Sequence, residues 1–330
     1  MDCNVAVVGC TGMVGRTFIK VLEERNFPIK NLYLYASSKS AGKILKFKGK
    51  DFTVEELKED NIKNKKIDIA LFSAGASVSK EYAPIFAHYG AVAIDNSSQW
   101  RMDKDIPLVV PEVNPEDIEW NKGIIANPNC STIQAMLPLK ALQKKYGIKR
   151  IVYSTYQAVS GAGVGGYNDL LEGYKGAAPK KFPYPIAGHI LPHIDVFLDN
   201  GYTKEEMKMI NETRKILHDD NLKITATTAR VPVFYGHSES INIELENKFE
   251  IEDIFKLFEN TNGLIVKDDV KNLVYPMAID AAGHDEVFVG RIRKDFSVEN
   301  GLNLWVVADN IRKGAASNAV EIAECIIKNK

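Results

Sequence analysis

The residue best placed for covalent chemistry is Cys130, in Asn127-Pro128-Asn129-Cys130-Ser131-Thr132. A β-type run, Gly123-Ile124-Ile125-Ala126, leads into it. A helical pattern with Ile133, Met136, Leu137 and Lys140 leads out. Asn129 and Ser131 are both residue types that cap helix N-termini. The spacing therefore predicts Cys130 at a helix start. There, unpaired N–H groups and the positive end of the helix dipole favour the thiolate, which is the nucleophile. The competing reading is a buried structural cysteine, the commoner fate of a free Cys; polar neighbours on both sides argue against it. Far along the chain, His237 lies in Phe234-Tyr235-Gly236-His237-Ser238-Glu239. This reads as a turn, with the ring exposed enough to titrate near neutrality.

Other segments have the types that hold anions. Asn4-Val5-Ala6-Val7-Val8 is a β-rich run, followed at once by Gly9-Cys10-Thr11-Gly12-Met13-Val14-Gly15 and a helical pattern through Phe18, Ile19 and Leu22. Strand, glycine turn and helix form the context of a dinucleotide-binding loop, in which glycines let the backbone approach a pyrophosphate and the helix start supplies donors. The spacing is GxxGxxG rather than GxGxxG, so an unliganded β–α turn is the alternative. The next strand, Asn31 to Tyr35, ends in Ala36-Ser37-Ser38-Lys39-Ser40. An NAD site usually places Asp or Glu there for the ribose 2′-OH; hydroxyls and a cation suit a 2′-phosphate, so NADP(H) is expected over NAD(H). Ser73, at the end of the strand Asp68 to Phe72, opens a tight turn on the edge where open α/β sheets bind ligands. Arg101, after the strand Ala91 to Ile94, is a candidate anion clamp, although taken alone it reads better as a surface arginine. Ser160 to Gly166 forms a second glycine-rich loop, either a contact for phosphate or nicotinamide or a flexible turn. Glu205 and Lys208 lie one helical turn apart, a spacing that usually gives a solvated ion pair. His189, His193 and Asp195 invite a metal reading, but Pro192 disrupts the helical face that it needs, so no metal is expected.

The elements that position these residues fall into two sets. At 330 residues the prior is two domains. Alternating strands and helices up to Cys130 predict a Rossmann-like, doubly wound parallel sheet. From 151 to 310 strands dominate, which predicts an α+β domain with a largely antiparallel sheet. Lys43 to Lys66 reads as surface strands and turns, Lys175 to Pro192 as a long loop or lid, and Thr203 onward as a helix with an acidic first turn. The last helix, Ile311 to Lys328, carries small residues on one face and is expected to pack back on the first domain. The expected division is 1–130 with 311–330 as the NADP-binding domain, and 131–310 as the catalytic and dimerisation domain. Composition is that of an ordinary globular chain, 45% hydrophobic and 26% charged. A formal charge of −1 gives no general attraction to nucleic acid or anionic membrane. No apolar run reaches transmembrane length, and Met1-Asp2-Cys3-Asn4 goes straight into a strand pattern, so a cytoplasmic location is expected. Four cysteines without a CxxC argue against a disulfide framework or zinc site.

In order along the chain, Gly9 to Gly15, Asn127 to Thr132, Gln157-Ala158-Val159-Ser160-Gly161-Ala162-Gly163, Glu205-Glu206-Met207-Lys208, Ala229-Arg230-Val231-Pro232-Val233 and Gly236-His237-Ser238-Glu239 resemble the aspartate-semialdehyde dehydrogenase family. The likeness covers nearly the whole chain. It implies NADPH-dependent reductive dephosphorylation of L-4-aspartyl phosphate to L-aspartate 4-semialdehyde and phosphate, on the route to lysine, threonine and methionine. It also implies a homodimer with the second domain at the interface. By that resemblance Cys130 is the nucleophile, His237 the acid/base, and Gln157 the holder of the acyl group. Arg230 pairs with the substrate carboxylate, Glu205 with its ammonium, and Arg101 and Lys208 with phosphate; Asn129 adjoins the nucleophile. Gly9, Thr11, Gly12, Met13, Val14, Ser37, Ser38, Lys39, Ser40, Ser73, Ser160, Gly161 and Asn310 line the cofactor. Lys39 stands where many relatives have Arg, which weakens bidentate recognition of a 2′-phosphate. The neighbouring readings are another phosphorylating aldehyde dehydrogenase, of N-acetylglutamyl phosphate or glyceraldehyde 3-phosphate, and an acyl-CoA reductase on the same scaffold. A non-enzymatic NADP sensor would need the fold but not Cys130, and a cysteine hydrolase would not need residues 9–15.

Overall fold

Short, almost continuously apolar strands and helices with one apolar stripe give the first unit its layers. The structure, a computed structural model, describes residues 2–328, and the chain divides into two units, Met1–Asn129 with Ala315–Lys330, and Cys130–Gly314. Residues 1, 329 and 330, at the ends of the expected domain spans, lie outside the described residues. The first unit runs β1 (Cys3–Val8), α1 (Met13–Glu24), β2 (Ile29–Ala36), β3 (Ile44–Phe47), β4 (Lys50–Glu56), β5 (Ile69–Phe72), α2 (Ala76–His88), β6 (Val92–Asp95) and β7 (Ile124–Ala126). Its seven-stranded sheet has the order β3-β4-β2-β1-β5-β6-β7. Every pair is parallel except the β3–β4 edge hairpin. Lys43 to Lys66 is thus more than surface: β4 joins the sheet beside β2, with Leu34 opposite Val54.

The two faces of β1 show why the sheet is covered on both sides. Val5 and Val7 point to a core with Phe18, Val21 and Leu22 of α1 and with Ala319, Val320, Ile322 and Ala323 of the C-terminal helix. Ala6 and Val8 point to the opposite core, with Phe72 of β5 and Phe86 of α2. Phe86 meets Phe72 edge-on at 5.2 Å and Tyr35 at 6.0 Å. Each such pair adds about 0.5–1.5 kcal/mol beyond simple burial. The C-terminal helix starts later than expected: Arg312–Ala316 is a π-helical turn, and the α-helix spans Ser317–Lys328.

The second unit contains α3 (Cys130–Tyr146), β8 (Ile148–Gln157), α4 (Gly163–Gly173), α5 (Lys204–Leu217), β9 (Lys223–Arg230), β10 (His237–Leu245), α6 (Ile251–Glu259), β11 (Leu264–Val266), α7 (Ala278–Ala281), β12 (Val287–Asp295) and β13 (Gly301–Ala308). The sheet order is β11-β12-β13-β10-β8-β9. Its central pairs are antiparallel, as expected, but β8–β9 and β11–β12 are parallel, so the sheet is mixed. The cause for β9 is the crossover through α5, since parallel neighbours need a long connection. Thr203 caps α5 in a full capping box with Glu206. Residues 131–139 of α3 are buried on every side, so this is a core helix rather than an amphipathic one. Among the described residues no helix is long and apolar enough to cross a membrane.

Candidate active site

In the first unit the expected cofactor residues gather at one edge. Gly9, Ser37 and Ser73 follow the C-terminal ends of β1, β2 and β5. Between β1 and β5 the strand order reverses, which is where open α/β sheets bind ligands. Gly9 has φ of +80°, and a side chain there would run into the Ser73 carbonyl. A side chain at Gly15 would strike the Gly9 carbonyl, so glycine lets α1 sit tight on the turn. Gly12 is the N-cap of α1; it gives no side-chain cap, and the first turn holds no acid. The helix start at Met13 and Val14 therefore keeps its N–H donors and positive field for an anion. Ser37, Ser38 and Lys39 are exposed on a short 3₁₀ turn that ends at Ser40, with no carboxylate among them. This edge fits a dinucleotide whose outer end carries negative charge.

Arg101 is not a surface residue: it is 7% exposed. Its Nε donates to the Asn127 carbonyl at 2.9 Å and its Nη2 to the Asn96 carbonyl at 3.0 Å. These bonds fix the guanidinium at the ends of β6 and β7. Asn129, also buried, ends the first segment of this unit.

The second unit builds its site where β8 and β9 end and β10 begins. Cys130 is the first residue of α3, as the capping pattern predicts, and is partly exposed. Its Sγ lies 3.1 Å from His237 Nε2. A side chain at Gly314 would press on Cys130, its Cβ only 2.9 Å from that of the cysteine, so the π-helical turn approaches the thiol through a glycine. His237 departs from its expected place. It is the first residue of β10, not part of a turn, and it is wholly buried. Burial, and then the Arg230 guanidinium, hold its pKa well below the ordinary histidine range. The ring is therefore neutral near neutrality rather than poised to titrate there. Its Nδ1 accepts a hydrogen bond from the Ala158 N–H at 3.0 Å. A neutral ring that accepts at Nδ1 carries its proton on Nε2, toward the sulfur.

Charged and amide groups surround this pair. Gln157 ends β8 opposite Arg230, which ends β9. Arg230 is buried, and its Nη1 donates to the Ala158 carbonyl at 2.7 Å. Gln157 Nε2 donates to Glu205 Oε1 at 3.3 Å. The Glu205–Lys208 pair is not the solvated one its spacing suggests: Glu205 is buried, and Lys208 Nζ lies 2.9 Å from both Glu205 and Asp195. Burial opposes the lysine cation, but the two carboxylates outweigh it and raise its pKa above the ordinary value. Asp195 thus serves Lys208, and among the described residues there is no cluster of three or more metal-type ligands.

The second glycine-rich segment is ordered. Val159–Ala162 is a 3₁₀ turn, and Gly163 starts α4, an 11-residue helix that glycine content hid. Asn310 binds this turn to the strand opening: it accepts from the Gly236 N–H at 2.9 Å and donates to Ser160 Oγ at 3.0 Å. A Cβ on Gly161 would lie 2.9 Å from Arg230 Nη1 and 3.3 Å from His237 Cε1. Sequence reasoning also missed three supporting groups. The Ala158 N–H had no signal at all. Gln134, one turn after Cys130, reaches the His237 and Val306 carbonyls at 3.4 Å. Glu239 is fully buried two residues beyond His237, and burial lifts its carboxyl well above the usual range, with only Ser131 opposing the rise. Strict alternation counted from His237 would have found it.

Comparison with known proteins agrees with this geometry. The model described as semialdehyde dehydrogenase, NAD binding domain, matches residues 4–121, and the one described as semialdehyde dehydrogenase, dimerisation domain, matches residues 139–313. Aspartate-semialdehyde dehydrogenase of Aquifex aeolicus is 60% identical, across 99% of both chains. The crystal structure of aspartate semialdehyde dehydrogenase II complexed with ASA from Vibrio cholerae is 46% identical, with a TM-score of 0.95 and 99% of each chain covered. That of the Candida albicans enzyme with NADP is 27% identical, with a TM-score of 0.79 and the same coverage. On this full-length identity, and on a mixed sheet that carries a helix-start cysteine beside a buried histidine, the chain belongs to the aspartate-semialdehyde dehydrogenase family.

Proposed function

We propose that this protein converts L-4-aspartyl phosphate to L-aspartate 4-semialdehyde and phosphate with NADPH, in the route to lysine, threonine and methionine. The observation that carries the reading is Cys130 Sγ at a helix start, 3.1 Å from His237 Nε2. Gln157 and Arg230 end the neighbouring strands, and Glu205 of α5 meets Gln157 and carries Lys208 beside it. The helix start and the nearby Arg230 charge favour the thiolate. The thiolate attacks the acyl phosphate, phosphate leaves, and a thioester forms on Cys130, which splits one hard step into two easier ones. His237 faces the sulfur through Nε2 and serves the reacting oxygen next. Gln157 holds the acyl group. Arg230 takes the α-carboxylate, Glu205 the ammonium, and Lys208 with Arg101 the phosphate. A zwitterionic substrate with a second anionic end needs such separated charges, and aspartyl phosphate is one.

The first unit is the NADP-binding domain in this reading and the second the catalytic and dimerisation domain. Gly9, Thr11, Gly12, Met13 and Val14 hold the pyrophosphate, and Ser37, Ser38, Lys39 and Ser40 the 2′-phosphate; Ser73, Ser160, Gly161 and Asn310 complete the set. The reduced nicotinamide supplies the hydride equivalent that turns the thioester into the aldehyde. The enzyme acts as a cytoplasmic homodimer. A roughly 750 Å³ groove on the second unit, lined by Tyr156, Trp305, Met277 and Ile279, gives a second copy apolar surface to cover.

The test is phosphate-dependent NADP reduction with L-aspartate semialdehyde, run beside N-acetylglutamate semialdehyde and glyceraldehyde 3-phosphate. Only the first should turn over well, and Cys130→Ala should be inactive. Preference for another aldehyde, or turnover by the Cys130 variant, would sink the reading. A clear preference for NAD over NADP would remove the role given to Lys39.

A further inference from the structure

The glycine-rich helix α4 is the seat of residues 180–191. Gly166, Asp169, Leu170 and Gly173 recur at i, i+3, i+4 and i+7, so they share one face of the helix. A Cβ on Gly166 would lie 3.0 Å from the Phe182 ring, and one on Gly173 would lie 3.1 Å from Ala187 Cβ. Between these close approaches, Leu170 packs with Ile186 and Leu191. Asp169 is buried, and its carboxylate accepts from the N–H groups of Lys180, Lys181 and Phe182 at 2.9, 2.7 and 2.9 Å. Burial opposes that charge, but the backbone donors outweigh it and hold the carboxyl below its ordinary range. Glycine lowers helix propensity; in α4 it lets this segment come close.

Both ends of the segment meet Arg230. Leu191 pairs with it backbone to backbone: its N–H donates to the Arg230 carbonyl at 2.9 Å, and its carbonyl accepts from the Arg230 N–H at 2.8 Å. At the other end, the guanidinium carbon of Arg230 lies over the Phe182 ring, 6.0 Å from its centroid. The negative face of an aromatic ring attracts a cation without using any of its N–H donors. Those donors lie in the guanidinium plane, where carboxylate oxygens bind them in pairs. Space-filling alone would need only an apolar side chain at this position.

We propose that residues 180–191 form a positioning strap for Arg230, and that Phe182 raises the affinity of the site for an α-carboxylate by holding the guanidinium against its ring. This role rests on the proposed reaction, in which Arg230 takes the substrate carboxylate. Phe182 is a positioning residue that acts through Arg230. Asp169 acts one step farther back, through the backbone that carries the ring.

Steady-state kinetics of the full-length enzyme with three aldehydes provides the test. L-Aspartate semialdehyde has both charged groups. Succinate semialdehyde keeps the carboxylate without the ammonium, and 3-aminopropanal keeps the ammonium without the carboxylate. Phe182→Leu should raise KM for the first two by about three- to tenfold. An analogue that is not turned over is followed by its inhibition constant instead. The constant for 3-aminopropanal, the KM for phosphate and kcat should stay within about twofold. Phe182→Tyr keeps the ring face and should restore the wild-type values. Asp169→Asn loses the charge that gathers the strap and should give the same substrate profile, which keeps the test decisive if Phe182→Leu folds poorly. An equal loss for all three aldehydes overturns the proposal. So does a Phe182→Leu enzyme with a lowered melting temperature and unchanged KM, or a Phe182→Tyr enzyme no better than Phe182→Leu. Arg230→Lys separates this role from the reaction beneath it. If that variant abolishes the preference for carboxylate-bearing aldehydes and Phe182→Leu leaves it intact, the strap alone is refuted. If Arg230→Lys leaves the preference intact, the place of Arg230 in the proposed function falls.

Discussion

Gly161→Ala tests how rigidly the second unit holds its catalytic groups. The new methyl would sit 2.9 Å from Arg230 Nη1, and 3.3 and 3.4 Å from His237 Cε1 and Nε2, where ordinary contact begins near 3.4 Å. The two ring contacts are tight but tolerable. The guanidinium contact is not, and Arg230 must withdraw by 3.4 − 2.9 = 0.5 Å. Gly161 does not have a positive φ, so alanine adds steric pressure without backbone strain. Arg230 has little freedom to move: it is buried, tied to the Ala158 carbonyl at 2.7 Å, and covered by the Phe182 ring at 6.0 Å. Overpacking of this kind costs about 1–3 kcal/mol. If the displaced group binds the substrate carboxylate, a shift of this size should lower kcat/KM by about 10–100-fold. Steady-state kinetics with each reactant varied in turn gives the answer, with a melting curve as the control. The expected result is a KM for L-aspartate semialdehyde raised more than that for NADP, whose site Gly161 also lines in the proposed reading, with a near-normal KM for phosphate. An unchanged KM for the semialdehyde would refute the reasoning. A rise confined to NADP would show that Gly161 answers to the cofactor and that Arg230 is free to yield.

Two further variants separate stability from chemistry. Glu239 has its folded pKa raised by burial, so its protonated form supports the fold fully below the unfolded carboxylate pKa and the support is lost as pH rises toward the folded value. Urea unfolding of wild type against Glu239→Gln should show the difference growing with pH by up to about 1.4 kcal/mol per unit above about pH 4.5, in favour of the glutamine variant; a flat difference would mean that Glu239 is ionised in the folded protein. Thr203→Ala removes the cap that accepts from the Glu206 N–H at 3.2 Å, and should cost about 1 kcal/mol. Because the same first turn carries Glu205, the semialdehyde KM should rise as well, and a stability loss without any KM change would detach that turn from substrate binding.

Much of this organisation was legible in the sequence for definite reasons. The glycine turn after β1 is announced by residues that no other conformation requires, and Cys130 by polar cap types between a β run and a helical period. Thr203 with Glu206 is a capping box that can be read directly. What stayed hidden depends on distant partners. The parallel placement of β9 follows from the α5 crossover, whereas consecutive strand patterns suggest hairpins. Helix α4 contains Gly163, Gly165, Gly166 and Gly173, each of which lowers intrinsic propensity, and it forms because its Leu170 packs with Val159, Ile186 and Leu191. The depth of Arg101 likewise comes from the Asn127 carbonyl, and that of Glu205 from Gln157 on β8, both far along the chain.

His237 shows where the two kinds of information part. Tyr235-Gly236 signals a turn, and a histidine just past a turn is ordinarily wet. Yet β10 alternates with a strict period of two: His237, Glu239, Ile241, Ile243 and Leu245 face inward, while Ser238, Ser240, Asn242 and Glu244 are less buried. Polarity predicts the reverse for the first two inward positions, because a histidine and a glutamate are costly to bury. A structural residue would gain nothing from that cost. Here the inward register brings Nε2 to the nucleophile and Nδ1 to a backbone donor, and it keeps a neutral carboxylic acid on the same strand face. The conflict between pattern and polarity at the start of β10 therefore marks the reacting end of the strand.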